Sequence, residues 1–230
     1  MSSGKILALD CSTEYCSVAL LADGEYIDRD ARAEQRHCKL LLPMIDAVLA
    51  EGDFALRDLD AIAFGAGPGS FTGLRVACGV AQGLAFGADR PVVAVSTLLA
   101  LAQATDAPRV LAILDARMGE VYLAAYDRTD GSWRTVIAPC LCKLDALPSL
   151  PLSNWFGVGS GFAAHGDRLR AHYADALHNI DAQTFPHARQ IAALALDDSR
   201  AGRAVPASAA LPLYIRDKVA FTESERRSIA

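Results

Sequence analysis

Two segments about a hundred residues apart follow one plan, and a repeat of that length restricts the chain to architectures built from two copies of one supersecondary unit. KILALD at 5–10 and RVLAILD at 109–115 are both apolar runs that end in a carboxylate. Each is followed by a polar break and a second apolar run, CSVALL at 16–21 and VYLAAY at 121–126. Each then reaches a turn signal, Asp23-Gly24 or Asp130-Gly131, of the kind that closes a hairpin. The repeat predicts two related α/β domains, 1–106 and 107–230, divided in the stretch 105–108.

Residues 25–32 predict a third strand, after which the apolar period changes. Leu40, Leu41, Met44, Ile45, Val48 and Leu49 recur at helical spacing, predicting a helix over 36–51 that stops at Glu51-Gly52. Pro43 lies inside it, removes one donor and crowds the preceding turn, so a kink is expected there. A strand over 59–66, a helix over 70–86, a strand over 91–95 and a helix capped by Ser96-Thr97 complete an order βββαβαβα. The pattern weakens past Pro139, where Pro139, Pro148 and Pro151 predict loops. A strand at 155–159 and helices at 162–173 and 187–196 follow. The stretch 201–212 reads as irregular, 213–216 as docking back onto the body, and the polar end as frayed.

With 52% apolar and 21% charged residues in 230, the chain has material for a real core. A net charge of −5 argues against gripping nucleic acid unaided, though not against work inside a complex that supplies the positive charge. The apolar stretch 76–86 is too short for a bilayer, and no leading apolar segment marks export. Six cysteines contain no C-x-x-C, and Cys140-x-Cys142 lacks a second ligand pair. A reduced cytoplasmic chain without a metal site is the expectation.

GAGPGSFTGLR at 65–75 invites comparison with phosphate cradles. It lacks the P-loop lysine and misses the dinucleotide fingerprint by one residue in either frame. Gly67, Pro68, Gly69, Ser70 and Gly73 read as a tight strand-to-helix turn, with Ser70 as N-cap and the helix N-terminus as an anion site. A turn that merely needs small residues is the plainer alternative. Gly79, Gly83 and Gly87 recur every four residues in the helix beyond. Glycine inside a helix costs ~1 kcal/mol relative to alanine, so a close approach is expected along that ridge. Its partner is either the 36–51 helix or another subunit, toward which the two helices expose an apolar face. Asp10 and Asp115 end the two echoing strands, and in a duplicated fold such a pair can hold a hydrated magnesium ion. An active phosphotransferase would further need a base and a second phosphate loop, for which 157–161 (GVGSG) is the one candidate. His37, His165, His172, His178 and His187 form no metal-binding pattern, and Ser70 lacks the G-x-S-x-G elbow of a hydrolase.

Several of these segments resemble the TsaB family, also called YeaZ. They are ILALDCST at 6–13, RH at 36–37 with LLPMI at 41–45, GPGSFTGLR at 67–75 with GVAQGLAFG at 79–87, VSTL at 95–98, LDAR at 114–117 with EVY at 120–122, and YIRDKV at 214–219. The match is dense through about residue 127 and sparse beyond. The resemblance implies an actin-like ATPase (ribonuclease H-like) fold, with a mixed sheet and flanking helices in each of two domains. It implies a non-catalytic partner in forming N6-threonylcarbamoyladenosine at position 37 of tRNAs reading ANN codons. The implied partners are TsaD, the ATPase TsaE and the threonylcarbamoyl-AMP synthase, with tRNA met through the complex. A homodimer is implied for the isolated chain. No tightly bound cofactor is implied; ATP, ADP and magnesium enter at the level of the complex. The implied interface comprises His37, Leu41, Met44, Ile45 and Val48 with Thr72, Arg75, Val76, Gly79, Val80 and Gly83. Asp10, Ser12, Thr13 and Asp115 stand as vestigial nucleotide-site residues. The alternatives are an active ATPase or phosphotransferase, and a peptidase, which the missing nucleophile–base pair disfavours.

Overall fold

The computed structural model describes residues 4–34 and 36–216. The expected fraying of the polar end, and Asp217, Lys218 and Val219 of the family-like tail, lie outside them. The repeat appears as two five-stranded sheets with one topology. The first holds β1 (Ile6–Asp10), β2 (Tyr15–Ala22), β3 (Glu25–Arg32), β4 (Ala61–Gly67) and β5 (Val92–Ser96), in the order β3-β2-β1-β4-β5. The second holds β6 (Arg109–Asp115), β7 (Glu120–Asp127), β8 (Arg134–Lys143), β9 (Trp155–Val158) and β10 (Leu177–Asp181), in the matching order β8-β7-β6-β9-β10. In each, the first strand pairs antiparallel with the second and parallel with the fourth.

Parallel neighbours need long crossovers, and helices supply three of the four. They are α1 (His37–Gly52) between β3 and β4, α2 (Phe71–Ala88) between β4 and β5, and α4 (Ser160–His172) between β9 and β10. The counterpart of α1 is missing from the second half, where irregular chain runs from 144 to 154. β1 is buried along its whole length, as a strand covered on both faces must be. Leu7 and Leu9 pack with Leu41, Ile45 and Ala77 beneath α1 and α2. Ile6 and Ala8 pack with Ala188, Ile191 and Ala192 beneath α5 (Ala188–Arg200).

Three expectations need correction. α5 packs on β1, β2, β4 and β5, so 188–200 completes the first sheet although it lies in the second span. Ser96 Oγ accepts no capping N–H at the start of α3 (Thr97–Gln103); Thr97 Oγ1 is turned away and donates to the carbonyl of Pro68. β8 passes straight through Pro139, where loops were expected. It is an edge strand with a register shift opposite Leu123 and Ala125, which are the places a sheet tolerates proline. β10 was not foreseen at all.

Candidate protein-interaction site

The glycines of the 65–75 loop serve the strand-one turn lying beneath them. A Cβ on Gly69 would sit 2.4 Å from the Ser12 carbonyl oxygen, and one on Gly73 would sit 1.8 Å from that of Cys11. Both obstacles are backbone and cannot swing away. Ser70 N–H donates to Ser12 O at 2.7 Å, and Gly73 N–H donates to Ser70 Oγ at 3.3 Å, so the expected N-cap forms. Gly67 turns the chain out of β4 at φ 118° before Pro68. The amides that a phosphate would use at Ser70 and Gly73 are thus engaged within the protein.

Asp10 is fully buried. Its Oδ2 accepts from Ser12 N (3.2 Å) and Ser12 Oγ (2.9 Å), while Oδ1 has no hydrogen-bond partner. Gly65 is glycine because that oxygen fills the place of its side chain: an added Cβ would lie 2.0 Å from Oδ1. Burial pushes the carboxyl up to about 7, the two Ser12 bonds only partly opposing it. Thr13 is tied down through its carbonyl, which accepts from His37 Nε2 at 2.9 Å. Asp115 is committed elsewhere, to Arg117 (3.1 Å) and to His165 Nε2 (3.3 Å). In the 157–161 run, a Cβ on Gly159 would meet Ile113 O at 2.5 Å and one on Gly161 would meet Ile113 Cγ2 at 2.3 Å. These glycines seat α4 on β6. Among the described residues, no group of three or more His, Cys, Asp or Glu is placed to hold a metal ion.

The helix pair tells a different story. Cβ atoms added at Gly79, Gly83 and Gly87 would meet nothing among the described residues within 4 Å. The ridge therefore does not seat α1, which was one of the two partners expected for it. Thr72, Arg75, Gly79, Gly83 and Phe86 follow steps of three and four along α2 and are all exposed, so they share one outward face. Phe86 is 84% and Leu42 of α1 49% exposed. Met44, Val76 and Val80 are partly exposed and border this face while packing against the core. Leu41, Ile45 and Val48 are buried core residues, a correction to their assignment as surface contacts. Leu42 and Phe86 were overlooked; large apolar side chains off the core-facing arc of their helices were the signal. Arg75, expected to reach across an interface, is held within the chain. Its Nε donates to Tyr214 Oη at 2.9 Å, and its guanidinium lies 3.6 Å from the Phe71 ring centroid.

A duplicated mixed-sheet fold with helices on its faces defines a member of the actin-like ATPase fold class. A family model described as TsaD, tRNA N6-adenosine threonylcarbamoyltransferase, matches residues 31–223. The chain is 40% identical to the tRNA threonylcarbamoyladenosine biosynthesis protein TsaB of Haemophilus influenzae, over 96% of this chain and 97% of that one. It is 38% identical to TsaB of Escherichia coli, covering 94% and 96%. The solved structure of YeaZ from Pseudomonas aeruginosa superposes with a TM-score of 0.82 at 40% identity, covering 92% of this chain and 99% of that one. The chain belongs to the TsaB (YeaZ) family.

Proposed function

We propose that this chain is a non-catalytic subunit in the formation of N6-threonylcarbamoyladenosine in tRNA, and that it works by presenting the outward face of α1 and α2 to a TsaD-type catalytic subunit. The observation that carries this is the open glycine ridge. Gly79 and Gly83 sit inside a helix at a cost of ~1 kcal/mol each relative to alanine, and no other described residue would meet a side chain placed there. A close-approaching partner helix gives those positions a reason. The engaged loop at 65–75 and the buried Asp10 support the non-catalytic half of the reading. A TsaE-type ATPase and a threonylcarbamoyl-AMP synthase complete the machinery, with ATP and magnesium handled at the level of the complex. The isolated chain pairs with itself through the same face. No helix among the described residues is long and apolar enough to cross a membrane.

The test is co-purification with TsaD, followed by a tRNA modification assay with and without this chain. Loss of capture for the double variant Gly79→Leu/Gly83→Leu, with its fold intact by circular dichroism, is the expected result. Undiminished capture would place the interface elsewhere. Calorimetry of the isolated chain with Mg-ATP separates the rival ATPase reading: micromolar binding with turnover would overturn the non-catalytic assignment.

A further inference from the structure

We propose that Cys140 and Cys142 form an oxidisable dithiol site on β8, which takes a hydroperoxide as its oxidant and closes to an intrastrand disulfide. The two residues are two apart on one strand, so both side chains leave the same face of the sheet. Their Sγ atoms lie 3.4 Å apart and both are free thiols. A disulfide needs a separation of about 2.0 Å, so a small approach closes the bond. β8 is an edge strand, paired on one side only, and its register already shifts beside Cys140. The strand therefore has room to make that adjustment.

Access sets this pair apart from the other thiols. Cys140 lines an open cavity of about 800 Å³ walled by Met118, Leu141, Lys143, Arg168 and Arg216. Cys11 and Cys16 are also close, at 3.8 Å, but both are fully buried. Cys38 is exposed and Cys78 is buried, and neither has a thiol neighbour within bonding reach. Among the described residues, only 140 and 142 combine a near partner with an opening to solvent. The roles within the pair are unequal. Cys140 is part of the cavity lining and Cys142 is not, and the contact between the two sulfurs holds the Cys140 thiol below its ordinary value. The thiolate is the nucleophile in such chemistry, which makes Cys140 the attacking sulfur.

The steps balance. The Cys140 thiolate attacks one peroxide oxygen, an S–O bond forms, the O–O bond breaks, and hydroxide or alkoxide leaves and takes up a proton. The Cys142 sulfur then attacks the sulfenic sulfur of Cys140, the S–S bond forms, the S–O bond breaks, and the oxygen departs as water with the Cys142 proton. Two electrons pass from the dithiol to the peroxide.

Trypsin releases both residues in one peptide, 135–143, bounded by Arg134 and Lys143 and containing no other cysteine. The full-length protein is exposed to hydrogen peroxide, alkylated, digested and mapped by mass. The expected peptide is two hydrogens lighter and unalkylated, and it appears at least tenfold faster than the Cys38 peptide loses alkylation; dithiothreitol reverses it. Cys142→Ser is expected to arrest Cys140 as a sulfenic acid that dimedone labels, whereas Cys140→Ser leaves Cys142 reduced. Equal alkylation of the 135–143 and Cys38 peptides would overturn the proposal. So would dimedone labelling of Cys142 rather than Cys140, or oxygen addition to the wild-type peptide without loop closure.

Discussion

Asp10 is a fully buried carboxyl whose charged form the fold disfavours. Burial holds it up at about 7 against an ordinary 3.8. The native state therefore binds the proton more tightly than the unfolded chain. This contribution to stability is full below about pH 4 and is lost as pH rises toward 7. The displacement corresponds to roughly 4 kcal/mol. Asp10→Asn, neutral at every pH, is expected to gain on the wild type by about that amount between pH 4 and pH 8, as read by urea unfolding at both. A constant difference across the range would show that Asp10 is ionised in the folded protein. The loop above it makes a complementary prediction. Gly73→Ala drives a methyl into the Cys11 carbonyl, and overpacking against rigid backbone costs typically ~1–3 kcal/mol or more. A fall in the thermal midpoint is expected, and an unchanged midpoint would disprove the contact. The glycine string itself was plain in the sequence. Its reason was not, because Cys11 and Ser12 lie some sixty residues away and only the fold brings them beneath it.

At the scale of elements, periodicity located α1 and α2 to within two residues at each end, because both carry a core stripe and α2 a capping serine. The same stripe misled about the surface. Leu41, Ile45 and Val48 are the residues that build the helix into the core, and an apolar pattern alone does not say which neighbour covers it. The glycine ridge is the cleaner probe, since an added Cβ at its positions would meet none of the described residues. Gly79→Ala with Gly83→Ala is expected to raise stability, by up to ~1 kcal/mol at each site, yet to weaken TsaD capture at least tenfold. Stability and binding then move in opposite directions, which a misfolded variant cannot imitate. If both stay constant, the ridge is not the contact. β8 and β10 escaped the sequence for separate reasons. Pro139 masks an edge strand whose irregular register tolerates it. β10, LHNID, has only two apolar residues in five and takes its strand form from pairing with β9.

The repeat announced two related units, and the sheets obey it, but the molecule is closed by segments that ignore the division. α5 returns to cover the first sheet, and the chain beyond it straps the two sheets together. Leu213 N–H donates to Ala66 O of β4 at 2.7 Å. Three residues on, Arg216 Nη2 lies 2.8 Å from Glu120 of β7 and donates to Ala116 O at 2.9 Å. Tyr214 meets Arg75 of α2 between these anchors. Arg216 is 11% exposed along its side chain and Glu120 20%, so removing the arginine leaves a largely desolvated carboxylate without its counter-charge. Breaking a buried pair costs about 3–5 kcal/mol, and partial exposure reduces this to roughly 2–3. Arg216→Ala is expected to lower stability by that amount. It should also loosen the halves from each other, so that amides of β6 and β7 lose hydrogen-exchange protection before those of β1 and β4. Glu120→Gln with Arg216→Met, which removes both charges and keeps the bulk, should restore most of the loss. Uniform loss of protection in both sheets would mean that the strap stabilises one cooperative unit and does not join two separable ones.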